Sequence, residues 1–317
     1  MEAVTDKYTV ELPLILELGN MDPDSFIAYY LENKVELEQK LHYAGAIKFS
    51  GVLIDSLEVF QRVVGSISTK FLNYIDGTSP RTKLSGGVYT STEYDKTMKI
   101  TMHNENSYSA RWPNKLFLSC LLPAETGGET LLADSREILK RMDKDIVEEI
   151  EKRGIIYIRN LHGGEGMGIS WQQSFEITER KQLEEYCKAY SIQFEWRENN
   201  GVRLKQPSRG IIEHRESKEM VWFNQIDQFH PYQLGEELYD ALLTICESPE
   251  DFPTYVTFGD GKIISEDIIR SILKTTEEVT IAPPWSRNEL LVIDNELVSH
   301  GRNPYTGERK VLLSMSE

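Results

Sequence analysis

The chain has 317 residues, 40% of them hydrophobic, enough to bury a sizeable core within one elaborated domain. Its 35 Lys and Arg stand against 51 Asp and Glu, a formal charge of −16. That acidity disfavours nucleic-acid backbones and anionic membrane surfaces as partners. The start, MEAVTDKYTVELPLILELG, has no basic segment followed by an apolar run, and no apolar stretch elsewhere approaches the roughly 18 residues of a membrane span, so the chain reads as cytoplasmic.

In chain order, Asp22-Pro23-Asp24 forms a helix entry ahead of Phe26, Tyr29, Tyr30 and Leu31, and predicts a helix to about Leu41. Ala46-Ile47-Lys48-Phe49 reads as a short strand and Ser56 to about Lys70 as a second helix, giving residues about 1–85 an α/β texture. From about residue 86 the texture becomes short β-like runs: GVYTST, MKITMH, LFLSCLL, ETLLA, IIYIRN, VWFNQI, LLVIDNELVSH and KVLLSM. Helices are expected between these runs at Ser135 to Lys152, Thr178 to Tyr190, Pro231 to Glu247 and Ser265 to Thr275, with Phe258-Gly259-Asp260-Gly261 as a turn. The expected fold is mostly β with flanking helices: a double-stranded β-helix (jelly-roll) core in a single domain, 1–317, with the core about 86–317 and a helical or lid insertion about 135–220. Cys120, Cys187 and Cys246 are widely spaced and odd in number, and read as buried free thiols of a reducing compartment.

The chemistry-bearing segment is Ile100-Thr101-Met102-His103-Asn104-Glu105. Residues two apart on a strand project to one face, so His103 and Glu105 can share an ion. A third ligand, His300, closes the apolar run LVIDNELVSH. Two His and one carboxylate make a facial triad with three open positions, a set suited to Fe(II) oxygen chemistry, and zinc is the rival metal.

The run HNENSYSARWPNKLFLSCLLPAETGGETLLAD, with YTSTEY before it and WFNQIDQFHP, FGDG and VIDNELVSHGRNPYTGERKVLLSM after it, resembles the TauD/TfdA-like, clavaminate-synthase-like (SyrP-like) Fe(II)/2-oxoglutarate-dependent dioxygenases. The likeness is strongest over about 86–133 and from Trp222 onward, and loose over about 135–219. It implies His103, Glu105 and His300 as iron ligands. Glu105 stands where many relatives have Asp and where related halogenases have a small residue, so hydroxylation or desaturation is implied rather than halogenation. It further implies 2-oxoglutarate and dioxygen as co-substrates, with Arg309 and Thr130 of Gly127-Gly128-Glu129-Thr130 on the far carboxylate. A guanidinium offers that carboxylate two parallel donors. Arg302 and Lys310 are neighbouring competitors for the role.

The implied substrate is an amino acid or amino-acid-derived small molecule, free or tethered to a carrier protein, in specialised metabolism. Tyr108, Trp171, Trp222, Asn224 and Gln225 are the candidate substrate contacts, each with packing or loop hydrogen bonding as its plain alternative. His42, His162, His214 and His230 have no partner at ligand spacing and read as surface or capping residues. Two competing functions remain: a zinc-dependent hydrolase on the same three ligands, and a catalytically silent jelly-roll binding module. The oligomeric state is not legible.

Overall fold

Leu14–Met21, with its side chains alternately covered and exposed, opens a seven-stranded sheet. The computed structural model describes residues 11–72, 76–77, 83–85, 88–90 and 95–317, so most of the YTSTEY run lies outside the described residues. The strand order is Leu14–Met21, Ala46–Val52, Glu289–Asp294, Lys115–Leu122, Lys310–Ser316, Val88–Thr90 and Lys83–Ser85. The first pair is parallel and every other pairing antiparallel. The N-terminal α/β stretch is thus built into the main sheet.

Strand alternation gives this sheet two apolar faces. Phe49, Phe117, Leu290, Val292 and Leu312 pack with Phe26, Tyr30, Phe60 and Val64 from the helices Pro23–Glu32 and Leu57–Ile67. On the other face, Leu116, Leu118, Leu291, Ile293, Val311 and Leu313 meet Leu132 and Val298 of a three-stranded sheet. That smaller sheet runs Ile100–His103, Val298–Arg302, Thr130–Asp134. Its outer face, with Met102, Leu131 and Ala133, is covered by Ile138, Met142 and Trp222. The result is a jelly-roll whose two sheets stay open and do not close into a barrel.

Several elements differ from the expectations. The first helix breaks at Asn33 into Pro23–Glu32 and Lys34–Ala44. The helix over Ser135 to Lys152 is also two, with Asp143 capping the second. Pro231–Leu234 is a 3-10 turn ahead of the helix Glu236–Ile245. VWFNQI is a strand only to Trp222, because Asn224 donates to the Gly210 carbonyl (2.8 Å) and accepts from the Ile226 N–H (3.1 Å), starting the short helix Ile226–Phe229. LLVIDNELVSH is two strands joined by a turn in which Asp294 Oδ1 accepts from the N–H groups of Glu296 and Leu297. This turn passes the chain from the large sheet to the small one. IIYIRN is the expected strand, Ile155–Leu161, but the helical insertion also contributes Gln193–Trp196 and Val202–Ser208 to its four-stranded sheet, with Thr254–Phe258 as the fourth. The charges that obscure the strand pattern in VRLKQPS are satisfied outside it: Arg203 bridges to Asp251 and Lys205 to Glu250. No helix among the described residues is long and apolar enough to cross a membrane.

One buried ion pair ties this extra sheet to the metal-bearing turn. Arg159 lies 2.5 Å from Asp76 with both side chains almost wholly buried, and Asp76 also accepts from Ser109 Oγ (2.7 Å) and, through its carbonyl, from the Tyr108 hydroxyl (2.7 Å). Removing one partner strands the other charge in the interior. Arg159→Ala is therefore expected to lower stability by about 3–5 kcal/mol in urea unfolding, and an unchanged midpoint would show the pair to be dispensable.

Candidate metal centre

His103 and His300 are direct cross-strand partners: the antiparallel register of Ile100–His103 with Val298–Arg302 sets one opposite the other. Their ring centroids are 4.3 Å apart. Glu105 Oε2 lies 4.0 Å from His103 Nε2 and 3.6 Å from His300 Nε2. Two donors bound about 2.1 Å from one ion at right angles sit about 3 Å apart, so small side-chain rotations close this set on a metal. Among the described residues, it is the one group of three His, Cys, Asp or Glu side chains placed to hold an ion.

Register between these strands shifts just past His300, where Gly301 sits. A Cβ there would lie 2.5 Å from the Ile100 carbonyl oxygen, so only glycine lets the strands approach. Glu105 does not sit on the strand, which ends at His103. It belongs to a turn closed by the Ser107 N–H on the Asn104 carbonyl (3.1 Å), with Asn106 at φ +56°. Asn295 holds this turn from the facing hairpin. Its Oδ1 accepts from the Glu105 N–H (2.7 Å), and its Nδ2 donates to the carbonyls of Glu105 (3.0 Å) and Pro113 (2.9 Å). Asn104 Nδ2 returns a bond to the Asn295 carbonyl (2.7 Å).

The imidazoles are oriented as metal ligands need. His103 Nδ1 is 2.9 Å from the Thr101 carbonyl, which fixes its proton there and turns the Nε2 lone pair toward Glu105. Gln228 Nε2 donates to the same carbonyl (3.0 Å) and lies 3.1 Å from His103 Nδ1. Gln225 Nε2 donates to the Asn104 carbonyl (2.8 Å). His300 Nδ1 is buried with no hydrogen-bond partner among the described residues. On the other side of the ring, His300 Nε2 faces Glu105, and two buried imidazoles with one carboxylate fit a divalent ion of the Fe(II) type.

The co-substrate candidates gather at the next layer of the small sheet. Thr130 is opposite Arg302 in register, and its Oγ1 accepts from the Trp285 indole N–H (2.9 Å). Arg309 Nε donates to the Gly128 carbonyl (2.8 Å), and a Cβ on Gly128 would sit 3.0 Å from Arg309 Cδ. Burial first, and then the like charge of Arg302, push the Arg309 guanidinium down to about 10. Both guanidinium carbons lie near the Tyr305 ring, at 5.1 Å for Arg302 and 5.8 Å for Arg309. Arg302 also donates to the carbonyls of Asp95 (2.8 Å) and Met98 (3.0 Å). Lys310 is exposed. Arg302 is buried and Arg309 half-buried, so two like charges meet at this end of the small sheet.

The other singled-out residues lie as follows. Tyr108 stacks on Phe229 at 5.1 Å and donates to Asp76. Trp222 packs under the small sheet with Met102 and Ile138. Trp171 sits apart, among Leu161, Phe175, Leu183 and Cys187, with its N–H on the Asn200 carbonyl (3.0 Å). His162 accepts from the Gly164 N–H within a loop, and His230 caps Pro231–Leu234 by accepting from the Tyr232 N–H, although it is buried. His42 lies in the last turn of its helix. His214 departs from the surface expectation: it is buried, with Nε2 on Asp294 (3.2 Å) and Nδ1 accepting from the Ser217 N–H (3.0 Å). The cysteines are free, and burial pushes Cys120 up to about 11 and Cys187 up to about 12. Sequence reasoning passed over Asn295, Gln228 and Trp285. Asn295 and Gln228 lie inside quoted motifs, whereas nothing in the local pattern marks Trp285.

Two open jelly-roll sheets with a His-Glu-His group on the inner side of the smaller one define an architecture shared by a class of oxygenases. The family model for "Taurine catabolism dioxygenase TauD, TfdA family" matches residues 14–315. The chain belongs to that family and is an oxygenase. It is 32% identical over 279 residues to the dapdiamide synthesis protein DdaC of Enterobacter agglomerans, covering 88% of this chain and 84% of the relative. It is also 32% identical over 288 residues to a clavaminate synthase-like protein of Arabidopsis thaliana, covering 88% and 83%. Among solved structures, PvcB of Pseudomonas aeruginosa shares the fold at a TM-score of 0.53 and 12% identity, covering 95% of this chain and 84% of that one.

Asn295 grips the Glu105 peptide on both sides, so Asn295→Ala is expected to lower Fe(II) affinity 10–100-fold while the far-ultraviolet spectrum stays that of a folded protein. Calorimetric titration with Fe(II) reads this directly, and unchanged affinity would show that Glu105 holds its place without Asn295.

Proposed function

We propose that the chain is an Fe(II)- and 2-oxoglutarate-dependent dioxygenase that hydroxylates or desaturates an unactivated C–H bond of an amino acid or amino-acid-derived small molecule, free or carrier-tethered. The observation that carries this reading is the cross-strand pairing of His103 with His300, with Glu105 within 4.0 Å of both imidazoles. Bound together, Fe(II), 2-oxoglutarate and dioxygen supply an oxidant strong enough to break such a bond.

The residues divide the work. His103, Glu105 and His300 hold the iron. Thr101 keeps the His103 proton on Nδ1, so Nε2 remains a ligand. Arg309 and Thr130 take the far carboxylate of 2-oxoglutarate, and Arg302 adds a second positive charge there. Burial of His103, Glu105, His300, Thr130 and Arg302 strengthens these contacts. Of the five residues expected at the substrate, Tyr108 and Gln225 lie closest in function to the metal, bracing the turn that carries Glu105. Cys120, Cys187 and Cys246, all free, suit a reducing cytoplasm.

Relatives support the substrate class. DdaC is a dapdiamide synthesis protein, and PvcB is an Fe, alpha-ketoglutarate dependent oxygenase from an isonitrile synthetic pathway. A small molecule of specialised metabolism fits both. A zinc hydrolase on the same ligands would leave the Arg309 and Thr130 pair without a task.

His103→Ala and His300→Ala are expected to abolish Fe(II)-dependent turnover of 2-oxoglutarate to succinate in a protein that still folds; full activity in either would remove that histidine from the ligand set. Arg309→Ala is expected to raise the 2-oxoglutarate concentration needed at least tenfold with the iron requirement unchanged. Equal effects on both would assign Arg309 a structural role.

A further inference from the structure

Thr130 can serve a carboxylate only if its hydroxyl proton points at it. A threonine hydroxyl has one proton and two lone pairs and rotates to suit its neighbours, whereas an indole N–H only donates. The Trp285 N–H is 2.9 Å from Thr130 Oγ1. Thr130 is therefore the acceptor in this bond, and its own proton is directed away from the indole. Thr130 is buried, and among the described residues that proton has no acceptor. A buried donor with no partner among the described residues, in register with Arg302 and next to the Gly128-Glu129 turn whose carbonyl holds Arg309, lacks an acceptor that an anion would supply.

Trp285 is itself clamped. The peptide units on either side of it are held by one buried ion pair: Lys48 Nζ donates to the Pro284 carbonyl (2.6 Å), and Glu289 accepts from the Ser286 N–H (2.7 Å). Lys48 and Glu289 lie 2.9 Å apart with both side chains 8% exposed. Lys48 also approaches the Trp285 ring, 5.6 Å from its centroid. Upstream, Ile281 and Leu132 exchange both backbone hydrogen bonds, at 2.9 and 3.0 Å, which lays this segment along the Thr130 strand. The ion pair thus adds a second hold, next to the indole itself, on a segment already anchored at Ile281.

We propose that Trp285 is a positioning residue for the co-substrate: held by Lys48 and Glu289, it sets the polarity of the Thr130 hydroxyl so that Thr130 donates to the far carboxylate of a five-carbon keto diacid. This rests on the proposed 2-oxoglutarate reading and adds a device that selects the diacid over shorter keto acids. Trp285 is not one of the three metal-ligand candidates and acts through Thr130.

The test is anaerobic calorimetry on the Fe(II)-loaded full chain with 2-oxoglutarate and with 2-oxobutyrate, which keeps the keto acid but lacks the far carboxylate. Trp285→Phe keeps an aromatic ring and removes the N–H. It is expected to weaken 2-oxoglutarate about tenfold while 2-oxobutyrate and Fe(II) bind as in the wild type. Thr130→Val is expected to match it, and the double variant to be no weaker than Thr130→Val alone, because the effect passes through one hydroxyl. In turnover, KM for 2-oxoglutarate rises and kcat stays within twofold. Wild-type affinity in Trp285→Phe, equal weakening of both keto acids, or additive losses in the double variant would each overturn the proposal while leaving the co-substrate reading standing. A wild-type protein that binds both keto acids equally would overturn both.

Discussion

The register between Ile100–His103 and Val298–Arg302 is the constraint on which the rest depends. Side chains alternate with period two, so a one-residue slip would send the partner of His300 to the opposite face and bring Met102 inward. Met102 belongs to the apolar cluster on the outer face of the small sheet, so the slip would cost core burial as well as the site. The same packing that stabilises the fold therefore enforces the pairing of the two imidazoles. Gly301 permits it by letting the Ile100 carbonyl pass where any Cβ would collide.

Glu105 is positioned by a different means. It follows the strand rather than belonging to it, and a turn is softer than a ladder. Its place is set by Asn295, from the turn that carries the chain out of the large sheet and into the small one. A single amide thus couples the passage between sheets to the geometry of the third ligand. Gln225 and Gln228 cover the open edge of the His103 strand, which gives the carbonyls of Thr101 and Asn104 partners that no neighbouring strand supplies.

Charge is handled locally. The chain is strongly acidic overall, yet Arg302 and Arg309 both lie near one tyrosine ring, and burial lowers the Arg309 guanidinium to about 10, which leaves it charged at neutral pH. The stabilising buried charges elsewhere come as pairs, Asp76 with Arg159 and Lys48 with Glu289. Those pairs neutralise each other, whereas Arg302 and Arg309 are like charges, which suits the proposed carboxylate.

Much of this was legible in the sequence. His-x-Glu on a β-like run and a distant histidine after an apolar one identified the three residues that come together, and the jelly-roll texture from residue 86 onward was visible in short β-branched segments. The missed features share a physical cause. Strands such as Val202–Ser208 carry charges whose partners lie far away in the chain, so their alternation is hidden. The break between Asp294 and Val298 depends on side chain to backbone bonds within an otherwise apolar run. Trp285 gains its role only through contacts with Lys48, Glu289 and Thr130, none adjacent to it, and no local pattern records such a relay. The measurement that most directly tests the central claim is anaerobic titration of the purified apoprotein with Fe(II) and then 2-oxoglutarate, watched in the visible range. The account predicts one equivalent of Fe(II) and a weak absorption band on adding the keto acid, both lost in His300→Ala. Iron bound without the band, or a band that persists in His300→Ala, would contradict it.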